Sequence, residues 1–200
     1  MESLTAQHIS SNLANYEAAR NAFFTLIVDD LSNLVSPDFT GDSSTASDGD
    51  RIPERVAQEV LKLNVIKCPV PHFSLKTEEY RRGNEVVKFA TTPEWDSGTI
   101  VVDDIVGQDT KSLLQSWFYL GYNPNTRKGG RMKDYKKRCT LCEYTQDYEL
   151  IRTWTLEGCF ITKLEEDDFD RENDGKRQIR ATLSYDRATV ALPKAYEFAE

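Results

Sequence analysis

The stretch from Leu150 to Val190 restricts this chain more than any other. It reads as two strands, LIRTWTLEGCFIT and KRQIRATLSYDRATV, joined by the acidic run KLEEDDFDRENDG. In the second strand Ile179, Ala181, Leu183 and Tyr185 alternate with Arg180, Thr182, Ser184 and Asp186, the period-two pattern of a strand with one dry and one wet face. In the first, Trp154, Leu156 and Phe160 are assigned to the dry side and Thr153, Thr155 and Glu157 to the wet side; β-branched and aromatic residues favour such a setting. Any fold for this chain must give the dry face a core and the wet face an environment.

A chain of 200 residues can build one sizeable core, with a radius of gyration of roughly 16 Å if compact, so a single domain over 1–200 is expected. Its 39 % apolar and 10 % aromatic content fits a folded protein. The net charge of −8 argues against stable wrapping of nucleic acid, which needs Lys and Arg to neutralise phosphates, but leaves transient passage of DNA open. No apolar run approaches the roughly twenty residues of a membrane span, and no basic-then-apolar start marks a secretory signal, so neither is expected. Cys68, Cys139, Cys142 and Cys159 are expected to be reduced.

Taken in order, residues 1–20 read as an N-terminal arm, polar at first, with a short helix over Leu13–Arg20. Ala22–Val28 is apolar on both faces and predicts a strand covered on both sides. Ser36–Asp50, rich in Ser, Asp, Gly and Thr, is a flexible insertion loop. Leu61, Leu63 and Val65 alternate with Lys62 and Asn64 as a strand would; the phase slips at Val65–Ile66, as at a bulge, and Pro69 and Pro71 follow. Arg82-Gly83-Asn84 has turn chemistry, Val86 to Ala90 predicts a strand broken by Pro93, and Thr99–Ile105 predicts another. Over Thr110–Leu120 the period becomes helical, with Leu113, Leu114, Trp117 and Phe118 on one face and Gly121 as a stop. Asn123–Arg138 is a basic loop, and Leu141–Leu150 predicts a strand leading into the final hairpin. The predicted class is mainly β: an antiparallel sandwich or barrel with one packed α-helix.

Few residues qualify for chemistry. Cys139-Thr-Leu-Cys142 has the spacing of a metal or redox pair, but residues three apart on a strand face opposite ways, and His8 and His72 are remote; buried thiols are the preferred reading. Asp170-Arg-Glu-Asn-Asp174-Gly175 imitates half a calcium loop and fails at Ala181, where a Glu is needed. With no phosphate loop and no His beside the acids, the chain reads as a non-enzyme without metal or cofactor.

From Leu61 to Val190 the order of features resembles the tail tube protein family of contractile-tailed bacteriophages. The residues that carry it are Lys67-Cys68-Pro69-Val70-Pro71, a Gly-Asn turn into VVKFA, the helix segment LLQSWF, Gly-Gly before Tyr135-Lys-Lys, Leu156-Glu-Gly-Cys159, the acidic loop, and a closing Thr-Leu-Ser-Tyr-Asp. The resemblance implies a hexameric ring subunit whose strands join those of its neighbours in a continuous inner β-barrel. Rings would stack into a tube inside a contractile sheath, with DNA passing the lumen without specific binding. Implied partners are further copies, sheath protein, tape-measure protein, a baseplate tube initiator and a tail terminator, with no membrane; the implied location is the virion tail, assembled in the host cytoplasm. On this reading Thr153, Thr155, Glu157, Thr182, Ser184 and Asp186 are lumen-facing candidates, neutral hydroxyls and acids suited to passing a polyanion. Arg127, Lys128, Arg131, Lys133, Glu165, Glu166, Asp167, Asp168 and Asp170 are candidates for inter-ring or sheath contacts. Alternatives are a tube initiator or terminator, a secretion-system ring protein of the same fold, and, from another class, a monomeric β-barrel binding a small ligand or calcium.

Overall fold

The strand β9, Leu150–Glu166, organises the computed structural model, which describes residues 21–36, 47, 50–105, 110–169 and 175–191. Along one side of β9 runs β8 (Lys137–Tyr144); along the other, β10 (Gln178–Ser184) pairs with its second half and β11 (Arg187–Ala191) with its first. With β1 (Phe24–Val28), β2 (Val65–Lys67) and β5 (Gly98–Asp103), these strands form a seven-stranded antiparallel sheet in the order β1-β8-β9-β10-β5-β2, β11 lying beside β9. The sheet curls into a half-barrel, and the mainly β class holds.

Its concave side is the dry one. Leu26, Leu141, Leu156, Ile161, Ile179, Leu183 and Ile100 are all buried in one cluster. Two helices cover it, α1 (Glu54–Asn64) and α2 (Thr110–Gly121). On α2, Leu113, Leu114 and Trp117 are buried and Phe118 packs partly buried against the same core, as the helical spacing predicts. Asn64 Nδ2 donates to Thr110 Oγ1 at 2.9 Å, tying the end of α1 to the start of α2 inside the core.

Helix α1 replaces the strand expected over Leu61–Val65. Ala57, Val60, Leu61 and Asn64 are its buried residues, spaced i, i+3, i+4 and i+7, while Leu63 is 71 % exposed. The 3.6-residue period over eleven residues outweighs a short apparent alternation. The slip at Val65–Ile66 is a register shift between β2 and β5. β1 lies at the end of the sheet order, with Phe24 and Ile27 only half-buried, so it is not covered on both sides. β8 starts at Lys137 and stops at Tyr144, because Thr145–Glu149 turns the chain, with Tyr148 at a φ of 62°.

Three shorter pieces complete the description: the hairpin of β3 (Phe73–Arg82) and β4 (Glu85–Trp95), the small pair β6 (Tyr122–Asn123) and β7 (Lys128–Gly129), and one helical turn, α3 (Met132–Tyr135). The basic loop therefore has structure of its own; Trp117 Nε1 donates to Tyr135 O at 3.0 Å and pins α3 to α2. Pro93 does not end β4, which runs on to Trp95 past a bulge opposite Leu75–Thr77. The expected helix over Leu13–Arg20 and the rest of the arm 1–20 lie outside the described residues, as does most of the Ser36–Asp50 loop, whose ends are joined by Ser36 N–H donating to Asp50 O.

Candidate functional site

The convex face of the sheet is built around a corner in β9. Ser184 lies opposite Phe160 and Arg187 opposite Glu157, one unbroken register from β10 into β11. Yet the buried side chains change phase along it, from Cys159 and Ile161 to Leu156 on β9 and from Leu183 and Tyr185 to the half-buried Ala188 on the partner. The change falls at Gly158, whose φ of 69° only glycine adopts without cost. A Cβ there would stand 2.2 Å from Asp186 Oδ2, so the Asp186 side chain fills the space the glycine leaves.

This phase change relocates one residue. Phe160 stands on the convex face with Ser184, against Tyr135 at 5.5 Å between ring centroids, rather than on the dry side with Trp154 and Leu156. The six candidates Thr153, Thr155, Glu157, Thr182, Ser184 and Asp186 do share the convex face, in a band of hydroxyls: Thr155 lies opposite Thr140 and Thr189, and Thr182 Oγ1 is 3.2 Å from Thr99 Oγ1.

Three acids of this face, Asp186, Glu165 and Asp167, are held in ion pairs. Asp186 takes two hydrogen bonds from Lys136 Nζ at 2.8 and 2.7 Å, and that ammonium also sits 5.8 Å over the Phe160 ring. Glu157 lies opposite Arg187, Lys163 pairs with Glu165 at 2.6 Å, and Arg180 pairs with Asp167 at 2.5 Å. The hydrogen bond from Arg180, with that from the Gln178 N–H, holds the Asp167 carboxyl below the usual carboxylate range. The face of hydroxyls and acids expected from the sequence therefore also carries cations in ion pairs; Arg180 falls on the wet face by its alternation alone, whereas Lys136 is fifty residues from its partner.

The contact candidates divide by sign. Glu166 pairs with Lys111 and Arg177, so with Glu165 and Asp167 three of the acids close the base of the loop within the chain. Asp168 is exposed and Asp170 lies outside the described residues. Arg127, Lys128, Arg131 and Lys133 are all exposed around β7 and α3.

The β3–β4 hairpin is the surface that sequence analysis misses. Every residue of β3 is exposed, and Tyr80 (62 %), Val87 (56 %) and Phe89 (48 %) share one face near its tip. Its base is held by Trp95, which packs on Phe73 and on the core residue Tyr185 at centroid distances of 4.8 and 5.9 Å. The Gly83-Asn84 turn with VVKF after it was half of the signal; the polar run Lys76–Glu79 hides the other half.

Against known families, the model described as T4-like virus tail tube protein gp19 matches residues 58–189. The chain belongs to this tail tube protein family. The family is a structural one, not an enzyme family. Among solved structures, a chain of the anti-feeding prophage baseplate is similar with a TM-score of 0.59 at 10 % identity, over 89 % of this tail tube family member and 98 % of that chain. A chain of the sheath-tube complex of an extracellular contractile injection system, PVC, gives 0.54 at 18 % identity, over 96 % and 100 %; one of the sheath/tube terminator of that system gives 0.53 at 20 %, over 88 % and 97 %. At these identities the likeness is one of fold. No curated protein matches the sequence significantly. No described helix is long and apolar enough to cross a membrane.

Proposed function

We propose that this chain is the repeating subunit of a tail tube: six copies close a ring, rings stack inside a contractile sheath, and DNA is ejected through the lumen past the convex face of the sheet. The observation that carries this reading is the hairpin. A two-stranded ribbon alone is marginal in water, and one that projects with Tyr80, Val87 and Phe89 uncovered needs a second surface. Burying such side chains contributes about 1.5–3 kcal/mol each, enough for copies to associate. Further copies on the hairpin, a sheath and a terminator outside, a tape-measure protein within the lumen and an initiator at the baseplate complete the set of partners. The site of action is the virion tail, after assembly in the host cytoplasm. The apolar cavity between Leu26, Pro71, Leu141 and Leu183 measures about 20 Å³, room for a single water, so this cavity does not serve a monomeric ligand-binding barrel.

Electron microscopy of the purified protein tests the reading. Rings or tubes with an open lumen are expected, and Phe89→Glu is expected to abolish them while leaving thermal stability nearly unchanged. A monodisperse monomer at high concentration would refute the proposal. In virions, Glu157→Lys is expected to leave assembly intact and impair DNA release; normal infectivity would remove the convex face from the lumen. Asp186→Lys is a poorer probe, because Asp186 also packs on Gly158.

A further inference from the structure

On β9, β10, β11 and the segment leading into β8, the convex face carries four acids, Glu157, Glu165, Asp167 and Asp186, and four bases, Lys136, Lys163, Arg180 and Arg187; Arg138, exposed between the buried Lys137 and Cys139 of β8, adds a further base, and Asp103 of β5, paired with Lys176, a further acid. Among the first eight groups, three acid–base pairs are in contact and the fourth stands in direct register. Resting on the tube-subunit reading, we propose that Asp186, Glu165 and Asp167 are specificity-determining residues that mask the cations beside them, so that the conduit wall does not adhere to a polyanionic cargo.

Charge balance by pairing differs in its consequences from a wall of acids. A surface of uncompensated acids repels a polyanion along its whole length, whereas a paired surface presents little field beyond the pair itself and threads polyanion and polypeptide alike. The hydroxyls of Thr153, Thr155, Thr182 and Ser184 fill the space between the pairs with uncharged groups. Lys136 is the cation most firmly held, with both Asp186 oxygens on it and Phe160 beside it. Removing an acid leaves its cation in place and uncompensated, ready to take a phosphate and release counterions.

The test compares wild type, Asp186→Asn/Glu165→Gln and, as the opposite change, Lys136→Gln/Lys163→Gln. Each is checked for rings by electron microscopy and for binding to a fluorescent DNA duplex of about 20 base pairs by anisotropy. Wild type and the lysine variant are expected to show no binding at about 50 mM salt. The acid variant is expected to bind at least about tenfold more tightly, with a salt slope steeper by about 0.9 for each phosphate its freed lysines neutralise. Rings in all three with no gain in the acid variant overturn this proposal and leave the tube reading standing. So does wild-type binding equal to the variant's. Absence of rings in wild type overturns the tube reading and this proposal with it. Should Asp186→Asn disturb the corner, Glu165→Gln alone carries the same comparison, since its pair with Lys163 is exposed on both sides and contributes little to folding.

Discussion

Gly158→Ala tests the corner on which the half-barrel turns. At a φ of 69° an alanine meets its own carbonyl, a cost of about 1–2 kcal/mol. The new Cβ also falls 2.2 Å from Asp186 Oδ2 and 2.8 Å from its Cγ, so the carboxylate must move off Lys136. That ion pair has its Asp side chain 58 % exposed and is worth roughly 0–1 kcal/mol. The total is about 2 kcal/mol, read as a fall of roughly 1 M in the urea midpoint for a slope near 2 kcal/mol per molar. The measurement belongs at a protein concentration where sedimentation shows one species for every variant, so that assembly does not add to the apparent stability.

The two contributions separate in a double-mutant cycle. Asp186→Ala removes the crowding atoms and leaves its Cβ 3.4 Å from the new methyl, ordinary contact. In that background Gly158→Ala should retain the backbone cost and lose the steric one, a coupling of up to about 1 kcal/mol. A wild-type-background cost below about 0.5 kcal/mol would refute the argument that both strands change phase because this residue is left-handed.

Three further outcomes follow from the core. Trp117→Phe keeps most of the apolar volume and loses the hydrogen bond to Tyr135 O, so a loss of about 1 kcal/mol is expected, with faster amide exchange over Met132–Tyr135; unchanged exchange there would refute the pinning of α3 by Trp117. Lys137 is buried with Nζ 3.7 Å from Asp30 Oδ2 and no hydrogen bond, and burial pushes its pKa down; Lys137→Met should therefore be neutral or stabilising by about 1 kcal/mol, whereas Asp30→Asn should destabilise, both read from urea midpoints. Burial, reinforced by Cys159, pushes the Cys68 thiol up to about 12 from 9.0, so the unfolded chain loses that proton first. Its contribution is complete below pH 9 and lost as pH rises towards 12. Between pH 8 and pH 10 this thiol alone should cost about 1.4 kcal/mol, a loss that Cys68→Ala removes; an identical fall in the variant would assign the alkaline loss to other groups.

Much of the sheet was legible because its signals are local. The alternation from Ile179 to Tyr185, the helical spacing of Leu113, Leu114 and Trp117, the turn at Gly83 and the slip after Val65 each rest on a few adjacent side chains, and each appears in the structure. What was not legible depends on distant residues or on competing periods. Helix α1 carries both a strand-like and a helical pattern over Leu61–Val65, and the contacts of Ala57, Val60 and Asn64 with the core decide between them. The phase change at Gly158 leaves a trace in sequence, a glycine inside a strand, but its effect on Phe160 follows only when the partner strand turns with it. The alternation of the wet face was legible, Arg180 included, whereas the pairing of Asp186 was not, because Lys136 is fifty residues away.

That difference bears on how the chain's acidity is understood. The net charge of −8 belongs to the whole molecule, and the three ion pairs of the convex face, Lys136–Asp186, Lys163–Glu165 and Arg180–Asp167, contribute nothing to it. The net acidity therefore resides outside these pairs, where it acts on solubility and on the approach of other proteins. At physiological ionic strength a charge off the face is screened within about 8 Å, so it does little to a cargo that touches the hydroxyls and ion pairs of β9, β10 and β11. If the proposed tube reading holds, a change at Asp186 or Glu165 alters the charge of the face that a passing polymer would meet.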